Sequence, residues 1–252
     1  MSRHKYQIPD DPSQAAFCEA FQTDLTLYEY YHTVDINRGQ RFSRAMAGHY
    51  DGQLDRPIES IFPFQDLPDG SLVVDIGGGN GQQAIRLASR CPQLRFVVQD
   101  HDNVVTAAVT SVAAKLPESV ANRISWEAHS YFAQQPRREA SVYLLSHVLM
   151  DNTNDNCALI LRAIVDAMGP ASRLLIHDFL DTEEDIGHGR SRMFDLLDLH
   201  MIASVSRPSR NQAEWDALIE TGGEGHLVRH KTWPFRDGAA VIELRLASNG
   251  TA

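Results

Sequence analysis

The chain has 252 residues, 43% of them hydrophobic and 22% charged, with a formal net charge of −10 and a pI near 5.5. That size and balance suit one large α/β domain with a substantial core, and the acidic excess argues against nucleic acid or an anionic membrane as the main partner. No run is long and apolar enough to span a bilayer, the start Met1-Ser2-Arg3-His4-Lys5-Tyr6-Gln7 lacks the apolar segment of a signal peptide, and the cysteines Cys18, Cys91 and Cys157 are too widely spaced for a zinc site, which points to reduced thiols in a cytoplasmic setting.

Residues 1–12 are polar and proline-containing and read as a loose tail. The stretch 14–31 has a helical pattern, with Phe17, Phe21, Leu25 and Leu27 as candidate contacts, and 37–49 reads as a second helix with Phe42 and Met46 on one side. This divides the chain into an N-terminal tail and helical extension, 1–66, and a catalytic-type domain, 67–252.

The second part opens on Leu72 to Ile76, an apolar run expected to be a buried parallel strand. Gly77-Gly78-Gly79-Asn80-Gly81 follows, and then 82–88 with the spacing of an amphipathic helix. Strand, glycine turn and helix begin a doubly wound nucleotide-binding sheet. The turn lets a ligand approach the backbone, and the helix supplies free N–H groups and a partial positive charge. Asp75, just before the glycines, would repel a pyrophosphate but suits a ligand with a cationic amine. The next strand, 94–100, ends in Asp100, where an acid can accept both hydroxyls of a ribose. S-adenosylmethionine (SAM), with its ammonium, sulfonium and ribose, satisfies both acids better than NAD does. The plainer reading is a Rossmann-type turn with ordinary surface acids.

Farther on, 103–116 is helical, 123–127 a short strand and 141–149 a strong apolar strand. A helix over 155–168 ends at Gly169-Pro170, and 173–179 is the next strand. An acidic loop covers 181–189, helices cover 191–203 and 211–221, and strands cover 226–233 and 239–246. The alternation predicts a mostly parallel seven-stranded sheet with an antiparallel edge, and ligand sites at the carboxyl ends of its strands.

Several of these pieces together resemble the SAM-dependent O-methyltransferases of the plant caffeate and fungal secondary-metabolite type. They are Val74-Asp75-Ile76-Gly77-Gly78-Gly79-Asn80-Gly81, Phe96-Val97-Val98-Gln99-Asp100, 129–136, 143–157, 174–179, Asp198-Leu199-His200-Met201, and Ser209-Arg210-Asn211 before Glu214-Trp215. They occur in family order from about residue 20 onward. The resemblance implies a Rossmann-like class I SAM-methyltransferase fold, SAM as cofactor, and O-methylation of a small aromatic or polyketide-like metabolite. It carries Asp75, Gly77, Gly78 and Asp100 over as cofactor residues. Ser130 and Tyr131 stand where the family has an acid followed by an aromatic, and Ser146 where it often has Lys or Arg. No metal site is implied.

Two departures matter. The family's N-terminal dimerisation and lid domain has no counterpart in this sequence, so a homodimer or a partner protein supplying it is an open expectation. The family's catalytic histidine, in a His-Asp-Trp run, is replaced in Met150-Asp151-Asn152, and Met150 cannot accept a proton. A phenol has a pKa of about 10, so a base helps at neutral pH. The candidates are His147, His177 with Asp178 (the match to the acidic partner of the family's base), and His129. Arg210 matches an arginine of the family and is a candidate partner for Asp178 or an anionic substrate. Met46, Met150, Met193 and Met201 are candidates to line a flexible apolar pocket. Three alternatives stay open: an acceptor acidic enough to need no base; a pericyclase or dehydratase that keeps the fold without methylating; and a subunit that lends its fold to a partner.

Overall fold

The computed structural model describes residues 7–52, 58–181, 192–234 and 238–247, with the side chains of 46–52 and 192–193 outside that description. The helix expected over 14–31 is two helices, α1 (Ala16–Phe21) and α2 (Leu27–Thr33). Gln22, in a left-handed conformation at φ 50°, ends the first. Thr26 starts the second with a capping box: its hydroxyl accepts from the Glu29 amide, and its own amide donates to the Glu29 carboxylate at 2.9 Å. Helix α3 (Ile36–Gly52) follows.

The domain beyond is built on β1 (Leu72–Ile76), α4 (Gln82–Arg90), β2 (Arg95–Asp100), α5 (Asp102–Ser111), α6 (Glu118–Ala121), β3 (Ile124–Ala128), β4 (Val142–Ser146), α7 (Asn154–Val165), β5 (Arg173–Phe179), α8 (Arg192–Val205), α9 (Gln212–Gly223), β6 (Leu227–Pro234) and β7 (Ala239–Leu246). The strands form one seven-stranded sheet in the order β3-β2-β1-β4-β5-β7-β6. The first five pair in parallel, and β7 runs antiparallel between β5 and β6. Strand order reverses between β1 and β4, and the crevice at such a switch point is where doubly wound sheets bind ligands.

Both faces of the sheet are covered, which is why β1 and β4 are apolar without alternation. On one face Val74, Ile76, Tyr143, Leu145 and Ile176 pack against α7 and α9, including a fully enclosed Trp215. On the other, Val73, Val98, Leu144 and Leu175 pack against α4, Phe62 and Phe64. A smaller patch of Leu27, Met201 and Val205, with Phe17, Tyr28, Tyr31, Met150 and Leu197 against it, fastens the N-terminal helices to α8 and to the turn after β4. Each large apolar side chain buried there contributes about 1.5–3 kcal/mol.

β4 is shorter than its sequence suggests. It stops at Ser146 because His147 turns left-handed, at φ 56°, and residues 149–151 form a 3₁₀ turn. A non-glycine residue in that conformation costs about 1–3 kcal/mol and persists only where its surroundings enforce it. Here the His147 amide donates to the carbonyl of His177 at 2.8 Å. Of the acidic loop expected over 181–189, all but Asp181 lies outside the described residues. No helix among the described residues is long and apolar enough to cross a membrane.

Candidate active site

Asp75 lies one residue inside the end of β1 and points to the α4 face, 1% exposed. Neither carboxylate oxygen has a hydrogen-bond partner among the described residues. Gly78 lies directly across it: a Cβ there would stand 2.7 Å from Asp75 Cγ. Asp75 therefore lies beneath the turn, one residue short of the strand tip where the sequence suggested it. Burial, and then the charge of Asp100, push its pKa up to about 7, against a pull from the Ala84 amide at the start of α4.

Asp100 is the acid that faces the turn. Its Oδ2 accepts from the Gly79 amide at 2.9 Å and its Oδ1 from the His101 amide at 2.7 Å. A carboxylate has about four acceptor positions, so about two remain for a diol. Gly79 has φ 58°, and a Cβ on it would meet nothing within 4 Å, so the crest of the turn is open. Gly77, at φ 69°, is flanked by Tyr131, whose Cδ1 lies 3.8 Å from where a Cβ would be. Burial raises the Tyr131 pKa foremost; the Asn152 side chain lowers it, and the charges of Asp151 and Asp100 raise it. Ser130 is exposed and accepts from the Phe132 amide at 3.4 Å, closing its own loop. An open crest, a carboxylate with acceptor positions to spare and an unpartnered buried acid behind the turn fit an adenosyl group that carries positive charge.

At the ends of β4 and β5 the chemistry is different. His177 is 3% exposed, and its Nδ1 lies 3.0 Å from Ser146 Oγ. Ser146 thus engages the histidine at the end of the neighbouring strand. The His147 ring, half-buried, sits 4.8 Å from His177 and 5.4 Å from Phe179. His129 is remote from this pair: it follows β3, the outermost strand on the far side of β2, and its amide donates to Asp100 O at 3.0 Å.

Asp178 is 2% exposed and points to the opposite face, where its oxygens accept from the amides of Met150 at 2.9 Å and Phe179 at 3.0 Å. Burial pushes its pKa up to about 7, with Arg210 acting in the other direction and Asp151 in the same one. At 2% exposure it is enclosed in the core, where it anchors the turn after β4. Arg210 is committed in the same way. Its Nε donates to Asn154 Oδ1 at 3.0 Å, Nη1 to Leu149 O at 2.8 Å and Nη2 to Asn152 O at 2.7 Å, and the guanidinium stacks 5.3 Å over Trp215. Arg210 thus spends its donors on residues 149–154 as a buried clamp, while its charge lowers the pKa of Asp178. Met150 and Met201 pack together with Leu27 and Tyr28, while the side chains of Met46 and Met193 lie outside the described residues.

Two contributions escape the sequence altogether. Tyr28 OH donates to Asp151 Oδ2 at 2.5 Å. One turn farther along α2, His32 Nδ1 lies 3.1 Å from Asn103 Nδ2, and its ring is 5.6 Å from His101. Helix α2 therefore lies across the carboxyl edge of the sheet, from the turn after β4 to the end of β2. Asp151 carried a signal, an acid in a strand-end turn beside the substituted base position. Nothing local marks Tyr28.

A profile of the O-methyltransferase domain matches residues 5–224. The chain belongs to the O-methyltransferase domain family. Among curated relatives, it is 40% identical over 243 residues to the O-methyltransferase xanE of Aspergillus fumigatus, covering 94% of this chain and 54% of that protein. It is 38% identical over 240 residues to the N-methyltransferase nanE of Aspergillus nanangensis, covering 95% and 58%. The chain thus spans little more than half the length of these methyltransferases. Among solved structures, that of the LepI complex with SAM superposes with a TM-score of 0.79 at 26% identity, covering 98% of this chain and 61% of LepI. The seven-stranded, mostly parallel sheet with its antiparallel edge is the class I methyltransferase fold of this family.

Proposed function

We propose that the chain is the catalytic part of a SAM-dependent O-methyltransferase acting on a small aromatic or polyketide-like metabolite of secondary metabolism. The observation that carries this reading is Asp100, bound to the glycine turn through two amides and left with acceptor positions beside an open crest. When bound, SAM supplies an electrophilic methyl group on a sulfonium. Asp100 holds the ribose hydroxyls. Asp75, when ionised, favours the cationic end of the ligand from beneath Gly78, because a buried charge is weakly screened. Tyr131 packs beside Gly77 against the adenosyl group.

On the acceptor side, His147, His177 and Phe179 form one wall, and Met150 with Met201 an apolar one that adapts to a planar ring. Asp178 and Arg210 act by holding the turn between these walls. Methyl transfer needs in-line contact between oxygen and carbon, so fixing this geometry supplies much of the rate. A homodimer or a partner protein completes the pocket. The three cysteines are free and buried, as suits a cytoplasmic protein.

Met150 at the usual base position favours one other reading, a non-methylating enzyme that polarises a carbonyl through His147 and His177. Calorimetry with SAM and its demethylated product, followed by incubation of a phenol panel with methyl-labelled SAM, separates the two. Binding with label transfer supports methylation. Binding with turnover and no label supports the alternative. No binding to either ligand overturns the methylation reading.

A further inference from the structure

We infer that Asp151, held by Tyr28 of the N-terminal extension, is the group that takes the proton from the acceptor hydroxyl. This rests on the methyltransferase reading above and assigns the base that Met150 leaves missing. The argument begins with what the other candidates are doing. Both oxygens of Asp178 are taken by backbone amides. His177 is enclosed and its Nδ1 is engaged with Ser146. His147 packs its ring against His177 and Phe179. Asp151 is half-buried, and Tyr28 engages Oδ2. The other oxygen, Oδ1, is not engaged by Tyr28 and is the one assigned to the acceptor.

Its position also fits. Asp151 lies one residue beyond Met150, on the turn that Asp178 and Arg210 clamp from two sides. It is close enough to Tyr131 to raise the pKa of that phenol, and Tyr131 touches the glycine turn. Asp151 is thus on the same carboxyl edge as the cofactor crest, beneath the roof made by α2. An ordinary carboxylate is too weak a base to help a phenol much. Burial, opposed by the Tyr28 hydrogen bond, pushes Asp151 up to about 7. The titratable groups around it are Tyr28 from α2, Tyr131 from the loop after β3, and Asp178 from β5.

The step balances. The hydroxyl oxygen forms a bond to the methyl carbon, the carbon–sulfur bond breaks and its electron pair stays on sulfur. The hydroxyl proton moves to Asp151 Oδ1, from which solvent removes it once the product leaves. Tyr28 is a positioning residue: it fixes Oδ2 and, by stabilising the ionised form, sets where the carboxylate titrates.

The test uses the full chain, its wild type and the variants Asp151→Asn and Tyr28→Phe. Asp151→Asn should lower kcat for the best phenol at least about a hundredfold and leave SAM affinity by calorimetry unchanged within about twofold. Tyr28→Phe should move the acid limb of the pH–kcat/KM profile to higher pH. A second readout needs no turnover: 4-nitrophenol bound to the wild type should show phenolate absorbance at a pH where the free dye is neutral, and Asp151→Asn should abolish it. A turnover unchanged by Asp151→Asn, or a bound-dye spectrum the same in wild type and variant, overturns the assignment. Failure of the wild type to bind SAM sinks the methyltransferase reading instead, and calorimetry alone reports that.

Discussion

The two halves of the carboxyl edge of the sheet are built by different rules. The cofactor half, at β1 and β2, is assembled from neighbouring strand–turn–helix units: Asp100 reaches Gly79 across 21 residues. The acceptor half, at β4 and β5, is assembled from distant ones. Tyr28 and Asp151 are 123 residues apart, and Arg210 reaches back 58 residues to Asn152. The first half can be recognised in a short window, whereas the second exists only once the chain has folded. Under the proposed assignment, the cofactor half of this chain is legible as a motif, while the acceptor half is assembled from long-range contacts.

The largest expected effect concerns charge shared by both halves. Asp75, Asp151 and Asp178 all have pKa values pushed up to about 7 by burial, from the ordinary carboxyl value of 3.8. Each holds a proton in the folded state that it loses in the unfolded one between those limits. Stability is therefore greatest below about pH 4 for these groups and is lost as pH rises through about 7, by at most about 1.4 kcal/mol per unit and group. Unfolding in urea across this range should show the ligand-free protein weakening toward neutral pH. Asp75→Asn should flatten the slope, the difference reaching at most about 4 kcal/mol above pH 7. Saturating SAM should flatten it in the wild type too, because its positive charge lies near Asp75 and away from the anchor at Asp178. A slope of opposite sign would show that these acids are ionised and satisfied in the folded protein.

Next comes the clamp. Arg210→Met removes the donors to Leu149 O, Asn152 O and Asn154 Oδ1. A hydrogen bond from a charged donor is worth about 1.5–3 kcal/mol, so a total loss of about 3 kcal/mol or more is expected in urea unfolding. Under the proposed division, SAM affinity of the folded fraction stays within about threefold while acceptor turnover collapses. Equal loss of both would mean that the halves are one unit.

The contrast explains what the sequence revealed. The parallel strands and the glycine turn follow from apolar runs and glycine spacing, which are local. Even there, the one-residue offset that buries Asp75 beneath Gly78 was not legible, because a motif does not state which side of a strand a side chain takes. In the acceptor half the histidines could be counted, but not their partners. Nothing in 141–149 announces that His147 turns left-handed; the apolar run reads as continuous strand, and only the hydrogen bond to His177 O fixes the break. Arg210 looked like a ligand-binding cation for the same reason: its carbonyl acceptors lie in another segment.

A smaller effect probes the cofactor half alone. Asp100→Asn keeps the shape but replaces one acceptor oxygen with a donor that opposes the Gly79 or His101 amide. A hydrogen bond to a charged partner is worth about 1.5–3 kcal/mol, so SAM affinity should fall about tenfold to a hundredfold by calorimetry. Binding of 4-nitrophenol should not change, and a matching loss there would contradict the separation of the halves.

The smallest effect tests the element that joins them. Thr26→Ala removes the capping box of α2, in which Thr26 and Glu29 satisfy each other's amides. Loss of such a cap costs about 0.5–2 kcal/mol, a modest drop in urea stability. The helix carries Tyr28 to Asp151 and His32 to Asn103 and His101, so its fraying loosens contacts at both ends of the roof. If α2 moves as a rigid bar, SAM affinity and acceptor turnover should fall together and by similar factors. If only its first turn frays, Tyr28 is released while His32 is not, and turnover falls alone. Amide hydrogen exchange across 27–33 distinguishes the cases directly: uniform loss of protection marks the bar, and loss confined to the first turn marks the fray. The second outcome is expected, since the removed cap acts on the amides of that turn and the far end is held independently through Asn103.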